Sequence, residues 1–182
     1  LDLTTRRWDT CDHKPNDPRR CYDAAPYPPF HDVMAMVDGE AAKVLAGIAR
    51  ERWKLATGET IPAVATGNDP WPAQVPVEVE DVTVGISRTS PAQPGRAEVR
   101  EIEALYLDMI AGAKRTIYIE NQYFTAHKLG EALAARLAER DGPEVVVVSR
   151  LLSHGWLEEN TMHALRTRLI RALQQADRCK RF

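Results

Sequence analysis

From about residue 81 the chain switches repeatedly between two hydrophobic periods, and that succession leaves few folds open. Apolar residues alternate over 82–87. They then recur at helical spacing over 97–113, where Val99, Ile102, Leu105, Tyr106, Met109 and Ile110 share one face. A β-branched and aromatic stretch at 115–120 predicts a second strand. A helix over 128–140, a strand over 144–149 introduced by the Asp141-Gly142-Pro143 turn, and a helix over 156–177 follow. Strands that alternate with helices predict βαβ units. The expected class is therefore α/β, a largely parallel sheet flanked by helices, with the strands at 82–87, 115–120 and 144–149 side by side. In the last helix Glu158 and Glu159 fall in the first turn and Arg168, Arg171 and Arg178 come late, which suits the helix dipole.

The upstream part reads differently. Pro15, Pro18, Pro26, Pro28 and Pro29 each remove a backbone donor, so the N-terminal segment is expected to be irregular. A short strand at 31–37 should end at an Asp38-Gly39 turn. Ala41, Val44, Leu45, Ile48, Ala49, Trp53 and Leu55 then predict an amphipathic helix from about 40 to 56, stopped by Gly58. Between Gly58 and Pro76 stand Pro62, Gly67, Asn68, Asp69, Pro70, Pro72 and Pro76, with no sustained period. The expected organisation is thus 1–57, a Pro-rich linker at 58–80, and 81–182.

Composition narrows the partners. Twenty-four basic and 26 acidic residues leave a formal charge of −2, so no global field recruits nucleic acid or anionic lipid, and any such contact must be local. The longest wholly aliphatic run, Val145 to Val148, is far short of the roughly 20 residues of a membrane span. Cys11, Cys21 and Cys179 are too few for a disulfide framework, and Cys11-x-His13 with Cys21 matches no common zinc spacing. No metal is expected.

Within the second half, Ile117-Tyr118-Ile119 is followed at once by Glu120-Asn121-Gln122, three polar groups where a buried strand would end. In α/β proteins ligands bind beyond the carboxyl ends of strands. The whole stretch, I-Y-I-E-N-Q-Y-F from Ile117 to Phe124, resembles a signature of the phospholipase D family. Other blocks agree in order. Leu1-Asp2-Leu3 through Arg7-Trp8-Asp9-Thr10 resembles the segment after the first catalytic motif of eukaryotic-type members. Pro29-Phe30-His31-Asp32-Val33 resembles the family's P-W-H-D block with Phe for Trp. The stretch from Val37 to Trp53 follows the family's Gly, Ala-Ala and Arg-Trp markers, and Ser87-Arg88-Thr89-Ser90-Pro91 resembles its R-T-x-P block.

The family's catalytic motif, H-x-K-x-x-x-x-D, occurs twice in its members. Here Pro15, Val33, Leu129, Trp156 and Leu165 stand two residues after the five histidines His13, His31, His127, His154 and His163, so neither copy is present. The resemblance implies the stretch between the two motifs of a longer enzyme: 1–57 as the end of a first half, 81–182 as the front of a second, and no activity in this stretch alone. It also implies a reaction. One motif histidine attacks the phosphorus of a phospholipid, the other protonates the leaving headgroup alcohol, and water or a second alcohol completes hydrolysis or headgroup exchange.

Site residues follow by the same resemblance. Asp32 would orient the first motif's histidine, while Asp2, Glu120, Asn121 and Gln122 would bind substrate or support the catalytic side chains. Alternation along a strand sends Asn121 opposite to Glu120 and Gln122, so all three share a pocket only if the strand has ended. Arg88 reads as a phosphate contact or a structural ion pair, and Trp71, Tyr123, Phe124 and Trp156 as an apolar wall or as core. No cofactor is implied. The implied partner is a phospholipid at a membrane surface, with no nucleic acid and no transmembrane segment, and the implied location cytoplasmic or peripheral to a membrane.

Three rival readings stay open. Another branch of the superfamily, a cardiolipin synthase or a nuclease, shares the chemistry; the R-W-D-T and I-Y-I-E-N-Q-Y-F blocks weigh against it. A non-catalytic α/β binding module would want a Gly-rich turn after its first strand, and Gly85-Ile86-Ser87-Arg88 supplies no G-x-G-x-x-G. A protein that never had the motifs is a third reading.

Overall fold

A computed structural model describes residues 21–22, 25–26, 35–65, 67, 71–150 and 159–182. The chain divides into two compact units at Val84 and Gly85. In the first, β1 (Cys21–Tyr22) and β2 (Ala25–Pro26) pair antiparallel. The expected strand at 31–37 lies partly outside the described residues, and 35–37 are irregular. Helix α1 (Gly39–Thr57) matches the expected span to within a residue at either end. Glu40 in its first turn and Lys54 in its last oppose the dipole. Gly58 ends it in the left-handed region, φ 79°, with its N–H donated 2.8 Å to the Lys54 carbonyl. The described residues of 58–80 hold no helix or strand.

The second unit carries the core. Here β3 (Thr89–Ser90) pairs antiparallel with β4 (Val99–Arg100), which runs straight into α2 (Glu101–Gly112). Then β5 (Thr116–Glu120), α3 (His127–Ala138) and β6 (Glu144–Val148) form a βαβ unit, its strands parallel from Thr116 opposite Glu144 to Glu120 opposite Val148. A π-helical turn (Glu159–His163) leads into α4 (Ala164–Ala176). The protein is of the mixed α/β class, with helix well ahead of strand.

Three expectations need correction. Residues 82–87 form no strand: Val82 and Val84 are half exposed, and alternation stabilises a strand only where a neighbour accepts its ladder. Among the described residues the parallel sheet therefore has two strands, not three. The helix expected from 97 begins at Glu101, because Val99 and Arg100 are drawn into pairing with β3. The expected 156–177 helix is an α-helix only from Ala164, its first described turn being π-helical.

Ile117 and Val145 are buried on one face of the ladder, with Ile119 and Val147 packed beside them. Against that face lie Leu133 and Leu137 of α3, Leu169 and Leu173 of α4, Ile110 of α2 and Phe124. Leu133, Leu137 and Leu173 are wholly buried, each stabilising the fold by about 1.5–3 kcal/mol. The other face leaves Tyr118, Val146 and Val148 exposed. Helices α3 and α4 approach at Gly130, where an added Cβ would collide with Leu169 Cδ1.

After α4 the Asp177 carboxylate gathers the chain end, accepting the N–H groups of Arg181 at 2.8 Å, Phe182 at 3.0 Å and Cys179 at 3.2 Å. The Arg181 carbonyl accepts the Val145 N–H at 2.7 Å, so this turn also satisfies the start of β6. Two guanidinium groups close helix C-termini: Arg136 reaches the Ala113 carbonyl at 2.6 Å, and Arg181 the carbonyls of Leu137 and Glu139.

Two measurements follow. Gly130→Ala should cost about 1–3 kcal/mol in urea unfolding through overpacking. Gly47→Ala, in the middle of α1 with open space around it, should instead stabilise its helix by about 0.5–1 kcal/mol. The second measurement is acid stability. The Arg88 side chain holds Glu101 below its ordinary 4.5, Lys128 does the same for Glu103, and the Arg181 N–H holds Asp177 below 3.8. The folded state thus binds fewer protons than the unfolded chain. Their contribution is full above those ordinary values and is lost as pH falls through the lower folded ones. Thermal stability should decline on acidification through this window, and less so in Asp177→Asn.

Candidate functional site

The carboxyl ends of β5 and β6 bring one polar cluster together. The ladder continues one residue past β5, the Asn121 N–H donating 3.0 Å to the Val148 carbonyl, and there the strand stops. The Asn121 side chain causes the stop. Its Oδ1 accepts the N–H of Tyr123 at 3.0 Å and of Phe124 at 2.6 Å, an Asx turn that offers the backbone an alternative to further pairing. The reversal leaves Phe124 at φ 47°, an uncommon conformation for an aromatic residue, held by burial of its ring.

Because the strand ends there, Glu120, Asn121 and Gln122 are not bound by strict alternation. All three are exposed at the strand end. Glu120 accepts the Tyr118 hydroxyl at 2.5 Å, which raises the phenol above its ordinary 10.0. Gln122 acts through its backbone: its carbonyl accepts Ser149 Oγ at 3.3 Å and Arg166 Nη1 at 3.4 Å, tying the ends of both strands to α4.

Arg166 is the residue that the sequence did not announce. Only 3% exposed, it places a guanidinium beneath the loop, with Nη2 3.1 Å from His163 Nδ1. A guanidinium only donates, so Nδ1 is the acceptor in this contact. The signal was in the spacing. Residues 166, 169 and 173 form the buried stripe of α4, and an arginine on such a stripe must find acceptors.

Asp2, Asp32 and Trp156 lie outside the described residues. Arg88 forms a two-point ion pair with Glu101, Nε–Oε2 3.1 Å and Nη2–Oε1 3.0 Å, and its N–H donates to the same carboxylate. It clamps the start of α2. Phe124 belongs to the core, and Trp71 donates to the Val75 carbonyl within a local turn. No described helix is long and apolar enough to cross a membrane.

Comparison of the chain with protein-family models, with curated proteins and with solved structures finds no match.

The Asx turn can be tested by itself. Asn121→Ala removes the acceptor of two backbone donors and should destabilise the protein by about 1–3 kcal/mol, with faster hydrogen exchange at Tyr123 and Phe124. Asn121→Asp keeps an acceptor oxygen and should retain most of the protection.

Proposed function

We propose that this chain is part of a phospholipase D-type phosphodiesterase, the stretch between its two H-x-K-x-x-x-x-D motifs. One observation carries the reading: Glu120-Asn121-Gln122, the core of the I-Y-I-E-N-Q-Y-F resemblance, stands at the carboxyl end of a parallel β-strand pair joined through a helix. That is where α/β folds bind ligands. The buried Arg166 adds a positive charge beneath the same loop, its Nη1 3.4 Å from the Gln122 carbonyl.

In this reading a histidine of one motif attacks phosphorus while that of the other protonates the departing headgroup oxygen. The P–O bond to the headgroup breaks, and a phosphatidyl group is left on the nucleophile. Water, deprotonated by the second histidine, then releases phosphatidic acid, and another alcohol in its place gives headgroup exchange. The motif lysines stabilise charge on the phosphoryl oxygens. Asn121 shapes the turn, Gln122 anchors it, and Glu120 with Tyr118 borders it. Asp32 would accept the ring N–H of the nucleophilic histidine and stabilise its cation. Asp2 would support the phosphate pocket from beside the first motif.

The experiment is expression of the coding sequence that surrounds this chain, with release of choline from phosphatidylcholine as readout. Flanking H-x-K-x-x-x-x-D motifs and headgroup release are expected, with none from the 182-residue chain alone. In the longer protein Asp32→Asn should lower kcat roughly a hundredfold or more with little change in KM and an unchanged unfolding temperature. Absence of both motifs from the flanking sequence would overturn the reading. So would headgroup release by the chain alone that is abolished by mutating one of its own histidines.

A further inference from the structure

The outward face of α4 carries two arginines that meet no carboxylate among the described residues. Between Ala164 and Ala176 there is no acidic residue, while Arg166, Arg168 and Arg171 are all present. Arg166 is turned inward. Arg168 and Arg171 are exposed, three residues apart and so on neighbouring positions of one helix face, and neither forms an ion pair or side-chain hydrogen bond among the described residues. Three other exposed cations of the same unit do meet carboxylates: Arg88 meets Glu101 at 3.0 Å, Arg100 meets Glu98 at 2.9 Å, and Lys128 meets Glu103 at 2.8 Å.

The same face is partly apolar. Leu165 is 47% exposed beside the arginines, with Ala172 exposed on the next turns. An open groove of about 900 Å³ is lined by Leu165, Arg168, Arg171, Ala172 and Gln175. Exposed guanidinium groups beside an exposed leucine select a partner that offers phosphates and hydrocarbon at one surface. A nucleic acid fits less well: the face has no aromatic platform for bases, two arginines make few phosphate contacts, and the chain's charge of −2 supplies no long-range attraction. A lipid bilayer fits both features, with headgroup phosphates for the arginines and a shallow apolar layer for Leu165.

We infer that the exposed face of α4, through Arg168, Arg171 and Leu165, docks this protein on an anionic phospholipid surface. The inference deepens the proposed function, since a phospholipid phosphodiesterase works at an interface, but docking needs no catalysis and is tested without it.

The test is co-sedimentation of the 182-residue chain with phosphatidylcholine vesicles, with and without phosphatidylserine. Binding should require phosphatidylserine and weaken as salt screens the charges. The double variant Arg168→Gln/Arg171→Gln should bind roughly twenty-five-fold more weakly, at about fivefold per charge. Arg168→Lys/Arg171→Lys should bind like the parent, and circular dichroism should be unchanged in both. Equal binding to neutral vesicles, or parental affinity in the Gln variant, would overturn the docking surface; tighter binding to duplex DNA than to the vesicles would reassign it to nucleic acid. In the longer protein, lost vesicle binding with unchanged turnover of a monomeric short-chain lipid would separate this surface from the catalytic reading. Vesicle binding with no headgroup release would discard only the catalysis.

Discussion

Five paired positions between β5 and β6 set everything else in the second unit. The register places Ile117 opposite Val145 on the helix-covered face and ends both strands at one level. A slip of β6 by one residue against β5 would turn Val145 out to solvent and bring Val146 against Leu133 and Leu137. Burial under α3 and α4 therefore specifies the register, and the register brings Asn121, Gln122 and Ser149 together.

The polar cluster is stabilised by a division of labour. Asn121 Oδ1 satisfies two backbone donors that leave the ladder, and the Gln122 carbonyl receives donors from β6's end and from α4. Arg166 is costly to bury, and its acceptors make that position definite: a guanidinium has five N–H donors and few places to aim them. Three elements are thus pinned at one point, and the loop from Asn121 to Phe124 has one preferred shape. The proposed site, which would hold a phosphodiester in line with a nucleophile, calls for such rigidity.

Much of this was legible in the sequence because it is local. The stripe of Val44, Ile48 and neighbouring apolar residues ending at Gly58 located α1, and Leu133 and Leu137 with their helical neighbours located α3. The strand end at Glu120-Asn121-Gln122 was readable because a buried strand cannot continue through three polar residues. What the residues did not disclose is tertiary. Alternation in Val82-Thr83-Val84 looks like that of a strand, but a strand is defined by its partner. Nor does the aliphatic run Val145 to Val148 show which of its residues are covered: Val145 is buried, while Val146 and Val148 are half exposed. In the sequence Arg166 is one more basic residue of the last helix, although its place on the buried stripe distinguishes it from Arg168 and Arg171.

The central claim is that the loop after β5 borders a site where a phosphodiester is transferred through a histidine. The most direct measurement is mass spectrometry of the protein encoded by the surrounding coding sequence, quenched at alkaline pH during turnover of a short-chain phosphatidylcholine. The account requires a phosphatidyl group in phosphoramidate linkage to a histidine of an H-x-K motif, stable to alkali and released by acid. A turning-over enzyme that carries no such adduct, or carries it on a residue outside both motifs, would contradict it.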